Sequence, residues 1–239
     1  MGREHKPSIA IFFPVYRDEA TVETVATKSL KVLSDIASDY KIIIVDDGSP
    51  DRSGEIADRL ALQYPDRIVS VHHERNLGYG AALQTGFKHS IGYEWICFTD
   101  GDDQYDVREL YHMSKLFHHY DLIVTFRYYK IYGTLRIFIS YVYNLIIRWL
   151  FKSRLRDHNS GLKVIRSSVI QDMELISTSP FIGAEIIIKA MVRGYPIGEV
   201  GIKTYPRTFG QSSSISVKNI IASIRDMWRV YREIFRQKS

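Results

Sequence analysis

Trp95-Ile96-Cys97-Phe98-Thr99-Asp100-Gly101-Asp102-Asp103-Gln104 changes character half-way along. An apolar stretch of strand formers breaks into a loop carrying Asp100, Asp102 and Gln104 at alternate positions. A strand that delivers two carboxylates and an amide oxygen to its C-terminal end suits a hard cation. Mg²⁺ or Mn²⁺ takes one or two carboxylates from protein and fills its remaining positions with water and substrate phosphates. The carboxyl end of a sheet strand is also where α/β folds collect ligands. Asp-x-Asp alone reads equally well as a solvated acidic turn, so the rest of the chain has to decide.

Upstream and downstream of this run, short apolar stretches alternate with helical periods. Ile9 to Phe13, Ile42 to Val45, Ile68 to Val71 and Leu122 to Val124 read as buried strands. Thr21 to Ile36, Arg52 to Gln63, Tyr79 to His89 and Val107 to His118 read as helices. That alternation predicts an α/β fold, Rossmann-like, with a mostly parallel sheet covered on both faces. The chain has 239 residues, 45% of them hydrophobic, which fits one large domain with a real core. Its single cysteine, Cys97, implies no disulfide framework and a reducing compartment. Met1 to Ser8 is polar, so no secretory signal is expected, and no stretch has the roughly 20 apolar residues of a spanning helix.

The second half is different. In Leu135 to Phe151 the polar residues Arg136, Ser140, Asn144 and Arg148 recur every fourth position, which draws one polar stripe along an otherwise apolar helix. From Val217 to Phe235, Val217, Ile220, Ile221, Ile224, Trp228, Tyr231 and Phe235 form one face and five basic residues enrich the other. Helices of this kind either pack on a domain or lie in a membrane interface. The division expected is one α/β domain over 1–215, including an interfacial helix at about 133–152, and a basic amphipathic helix over 216–239. The net charge of +5 sits on these greasy helices rather than on a polar patch with stacking aromatics, so no nucleic-acid partner is expected.

Three strand ends carry acids or an aromatic: Pro14-Val15-Tyr16-Arg17-Asp18-Glu19, Val45-Asp46-Asp47-Gly48-Ser49, and the Asp100 loop. With Asn76-Leu77-Gly78-Tyr79-Gly80, Asp157-His158-Asn159-Ser160-Gly161 and Arg207-Thr208-Phe209-Gly210-Gln211-Ser212, they stand in the order found in family 2 glycosyltransferases of the GT-A fold. The chain resembles the dolichol-phosphate mannosyltransferase-like, polyprenyl-phosphate branch, from about Ile9 to Ser213. It departs from the family at Arg17-Asp18, where Asn-Glu is usual, and at Ser213, where Lys is common.

The resemblance implies that Pro14, Tyr16, Asp18, Val45 and Asp47 hold the nucleoside of the donor. It implies that Asp100, Gly101, Asp102 and Gln104, the DXD region, hold metal and diphosphate, with Mg²⁺ or Mn²⁺ as cofactor. Arg127, Arg136, Ser140 and Arg207 would bind phosphate of acceptor or donor, a task for which the planar fork of Arg is suited. Asp100, Asp102, Arg127 and Arg136 would then be the catalytic set. The implied reaction is inverting transfer of a mannose- or glucose-like sugar from a GDP- or UDP-sugar to polyprenyl phosphate. The enzyme would lie peripherally on the anionic cytoplasmic face of a membrane, alone, as a homo-oligomer or with a membrane-protein subunit. Two other readings stand beside it. One is transfer to a saccharide or glycolipid hydroxyl, with Glu185 as general base. The other is a non-catalytic membrane-surface module that keeps a nucleotide pocket.

Overall fold

The computed structural model describes residues 6–129, 134–206 and 216–236. A 7-stranded sheet is built from β1 (Ser8–Val15), β2 (Asp39–Asp46), β3 (Ile68–His72), β4 (Trp95–Phe98), β5 (Leu122–Tyr129), β6 (Lys163–Arg166) and β7 (Ile197–Lys203). Around it lie α1 (Val22–Ile36), α2 (Ser53–Gln63), α3 (Tyr79–Ser90), α4 (Leu110–Met113), α5 (Thr134–Phe151), α6 (Ser167–Gln171), α7 (Ile182–Val192) and α8 (Val217–Arg236). The strand order is β3-β2-β1-β4-β6-β5-β7. β6 is antiparallel to β4 and β5, while the other pairs are parallel. The reversal places the start of β6 at the same sheet edge as the ends of its neighbours, and that edge carries the site.

Both sheet faces are buried, as the apolar runs require. On β1, Ile9, Ile11, Phe13 and Val15 join the core under α1 and α2, while Ala10 and Phe12 join the one under α3 and α7. α3 sits so close that a Cβ on Gly86 would fall 2.1 Å from the Phe12 ring. The expected 107–118 helix is interrupted: 3-10 turns at 107–109 and 114–116 flank α4, and Phe117 ends the segment by stacking on Trp95 at 4.1 Å.

α5, α7 and α8 form a third cluster through Ile147, Phe151, Phe181, Ile188, Met227, Val230 and Ile234. Within the polar stripe of α5, Asn144 is buried and Ser140 and Arg148 are half-buried, while the apolar residues Phe138, Tyr141, Leu145 and Trp149 are exposed. α8 is anchored by its second half. Buried Asp226 accepts from the amides of Thr178 and Ser179, and Glu233 pairs with buried Lys189 at 2.9 Å. Its first half leaves Val217, Ile221 and Ile224 exposed, and Trp228 just beyond is exposed too. Among the described residues no helix is long and apolar enough to cross a membrane.

Candidate active site

The C-terminal edge of the sheet opens into a cleft of about 1010 Å³. Its first wall is the β1 and β2 loops. The Asp18 carboxylate accepts from the Tyr16 amide at 3.1 Å, and Thr21 Oγ1 donates to the Gly101 carbonyl at 2.8 Å, which ties the β1 loop to the β4 loop. Asp47 is almost wholly engaged: His73 Nδ1 lies 2.7 Å from its Oδ1, and the amides of Leu77 and Gly78 donate to it at 2.8 and 2.9 Å. The turn after it needs Gly48, whose φ is +64° and whose Cβ would meet the Arg75 backbone at 2.5 Å.

The floor is the β4 loop. Tyr79 donates its hydroxyl to Asp100 Oδ1 at 2.9 Å, and Asp102 Oδ1 accepts from the Gln104 amide at 3.2 Å. Burial and the Asp100 carboxylate push the Tyr79 phenol well above its ordinary range, so it stays a donor. Asp103, at φ +57°, turns away from this floor to pair with Lys28 at 2.7 Å.

The loop entering β6 closes the far side. Arg127 donates from Nε and Nη2 to the two oxygens of Asp157 at 2.7 and 3.1 Å. Lys163 is buried at the head of β6 and donates to the Ser160 carbonyl. Burial lowers its ammonium to about 8, opposed by Asp157 and Asp100 and aided by Arg127. His158, held between Asn144 and Ser153, is pushed down to about 4, chiefly by burial. The opposite wall is different in kind: α5 contributes Phe138, Ile139, Val142 and Ile146 beside Ser140, and α8 contributes Ile220 and Ile224.

Of the residues singled out from sequence, Pro14, Tyr16, Asp18, Asp47, Asp100, Gly101, Asp102, Gln104, Arg127 and Ser140 line this one cleft. Val45 does not, because its side chain is buried in the core against α3. Arg207 and the side chain of Arg136 lie outside the described residues. Glu185 is fully buried away from the cleft, where its carboxylate accepts the amides of Ile176 and Ser177 and pairs with Lys189. Tyr79, Asp157 and Lys163 join the site from outside the set that the sequence singles out. The first two stand inside motifs that the sequence does display, whereas nothing in the sequence shows that Lys163 heads an antiparallel strand.

Two carboxylates and an amide oxygen on one cleft wall are a hard-oxygen donor set. They fit Mg²⁺ or Mn²⁺ held partly by substrate phosphates better than a site made wholly by protein. Among the described residues no group of three His, Cys, Asp or Glu side chains is arranged to hold a metal alone.

The glycosyl transferase family 2 model matches residues 10–175. The chain belongs to that family. It is 27% identical over 166 residues to the undecaprenyl-phosphate 4-deoxy-4-formamido-L-arabinose transferase of Shewanella sediminis (strain HAW-EB3), covering 69% of this chain and 50% of that one. To glycosyltransferase AglD of Haloferax volcanii it is 25% identical over 236 residues, covering 93% of this chain and 37% of the relative. The chain thus spans half or less of the length of these two relatives. Among solved structures, glucosyl-3-phosphoglycerate synthase from Mycobacterium tuberculosis, in complex with Mn²⁺, UDP and phosphoglyceric acid, superimposes with a TM-score of 0.70. It is 15% identical, with 95% of this chain and 78% of that one covered. At that identity the likeness establishes the GT-A α/β fold.

Proposed function

We propose that this family 2 protein transfers a sugar from a nucleotide-sugar to a polyprenyl phosphate at a membrane surface, with inversion and with Mg²⁺ or Mn²⁺. The observation that carries the reading is the two-sided cleft. A polar, acidic wall suited to a nucleotide diphosphate faces an apolar lane between α5 and α8, whose outer faces expose Phe138, Trp149, Ile221 and Trp228. A soluble sugar acceptor has no use for such a lane. A phosphate on an isoprenoid chain does. The name of the Shewanella sediminis relative points the same way for the acceptor, and the ligands of the solved structure for a uridine diphosphate and metal.

In this account Tyr16 and the Asp18 loop receive the nucleoside, and Asp100, Asp102 and Gln104 face the diphosphate. A bound divalent cation supplies compensation for the charge that grows on the departing diphosphate. Arg127 and Ser140 hold the acceptor phosphate. One of its oxygens attacks the anomeric carbon from the side opposite the nucleotide, and the bond to the diphosphate breaks as the new bond forms. No proton has to move, because a phosphate monoester is already anionic near neutrality. The burial of Glu185 agrees with a reaction that needs no base there.

Around the mouth of the cleft, exposed apolar residues are flanked on α8 by Arg225, Arg229 and Arg232, the arrangement of an interfacial helix that meets anionic headgroups. The reading therefore has the protein peripheral on a cytoplasmic leaflet, with the lane opening into the lipid. Labelled UDP-sugar, Mn²⁺ and polyprenyl phosphate should give a lipid-linked sugar of inverted anomeric configuration. Retained configuration would rule out the in-line displacement.

A further inference from the structure

The start of α3 is held more firmly than a helix end needs to be. Gly78 sits at φ +96°, a conformation that side chains rarely adopt, and its amide and that of Leu77 are both bound by Asp47. Asp47 in turn meets His73, whose other ring nitrogen lies 2.9 Å from Thr85 Oγ1 further along α3. On the opposite side a Cβ on Gly80 would fall 2.4 Å from the Thr178 backbone, so α3 rests directly on the 177–179 segment. Tyr79 lies between these two clamps.

We propose that Tyr79 is a positioning residue for the metal-binding carboxylate Asp100, set in place by Asp47 through the Leu77–Gly78 turn. Its phenol donates to Asp100 Oδ1 at 2.9 Å. The other oxygen is confined by Gly161, where a Cβ would come within 2.2 Å of Asp100 Oδ2. With one oxygen hydrogen-bonded and the other packed against a bare Cα, the carboxylate has one orientation before a ligand arrives. Groups that orient a ligating carboxylate contribute to affinity without touching the metal. Asp47 then does more than line the nucleoside wall: it makes that wall and the metal wall one rigid piece.

This inference rests on the metal reading above, and the test separates the two. Mn²⁺ binding in the presence of UDP is measured by electron paramagnetic resonance on wild-type protein and on Tyr79→Phe, which keeps the ring and removes the hydroxyl. UDP binding without metal and the melting temperature are measured alongside. Mn²⁺ affinity should fall by about ten- to a hundredfold, with metal-free UDP binding and melting temperature unchanged. Asp47→Asn should weaken Mn²⁺ binding in the same direction, although it touches no metal ligand. Equal Mn²⁺ affinity in wild-type and Tyr79→Phe overturns the inference while the metal reading stands. No Mn²⁺ bound by the wild type overturns both.

Discussion

Arg127 and Asp157 meet through two hydrogen bonds, Nε to Oδ2 at 2.7 Å and Nη2 to Oδ1 at 3.1 Å, with both side chains almost fully buried. The pair joins the end of β5 to the loop before β6, so it sets where the guanidinium lies in the cleft. Asp157→Ala should leave a buried cation without its partner and destabilise the fold by about 3–5 kcal/mol. Arg127→Lys keeps the charge but not the fork, and should impair acceptor use more than donor binding. Chemical denaturation and separate Michaelis constants for the two substrates check these outcomes; an equal rise in both constants would contradict the acceptor role.

Asp102→Asn should lower transfer by at least about a hundredfold, the scale of removing metal-borne charge stabilisation. Circular dichroism should be unchanged, because Asp102 lies in a loop at the cleft. Full activity in this variant would remove the metal assignment.

Glu185 separates a structural acid from a chemical one. Glu185→Gln weakens its grip on the Ile176 and Ser177 amides and on Lys189, and should cost about 1–3 kcal/mol of stability. The pH–rate profile of the folded enzyme should not move. A lost acidic limb in that profile would revive Glu185 as a general base and, with it, a hydroxyl acceptor.

These assignments were legible in the sequence to unequal degrees. The β1, β2 and β4 loops could be placed on one edge because each follows a short apolar run, and parallel strands bring such ends together. β6 and β7 were not anticipated. Lys163-Val-Ile-Arg166 is four residues with a charge at each end, and its burial comes from packing between β4 and β5 rather than from its own pattern. The stripe of α5 was visible as a period, but which side faces the protein depends on His158, whose ring and amide are both bound by Asn144. The apolar face of α8 was visible too. Only the structure shows that its Val217, Ile220, Ile221, Ile224 and Trp228 face outward, while Tyr231 and Phe235 pack beside Met227, Val230 and Ile234, which the sequence pattern did not place on that face.

That division alters how membrane contact should be tested. Deleting α8 would uncover Phe181, Ile188 and the rest of the third core cluster, so loss of function would say little. Changing Ile221, Ile224 and Trp228 together to Ser leaves the inner face intact. Each side chain contributes up to about 1.5–3 kcal/mol when fully buried, so partition onto anionic vesicles should weaken by well over about tenfold. Unchanged flotation with an unchanged melting temperature would place the membrane contact elsewhere.

His158 gives a pH dependence with a definite sign. Its folded pKa is lowered to about 4 from an ordinary 6.5. Between those values the unfolded chain binds a proton that the folded chain refuses. Stability therefore falls as pH drops from about 6.5 towards 4, by roughly 3 kcal/mol in all, and this contribution levels off below that range. His158→Asn, which retains a donor for Asn144, should flatten that part of the curve relative to wild type. Parallel acid-unfolding curves for the two proteins would show that His158 is not the group responsible.

The central claim concerns the acceptor, and an acceptor panel tests it most directly. Labelled UDP- and GDP-sugars are supplied with Mg²⁺ or Mn²⁺ and either undecaprenyl phosphate, dolichyl phosphate, a free saccharide or no acceptor, and label is followed into the lipid phase. The account predicts label in lipid with a polyprenyl phosphate, and none with the saccharide or without acceptor. Label on the saccharide, or donor binding with no lipid product from any donor, would contradict it.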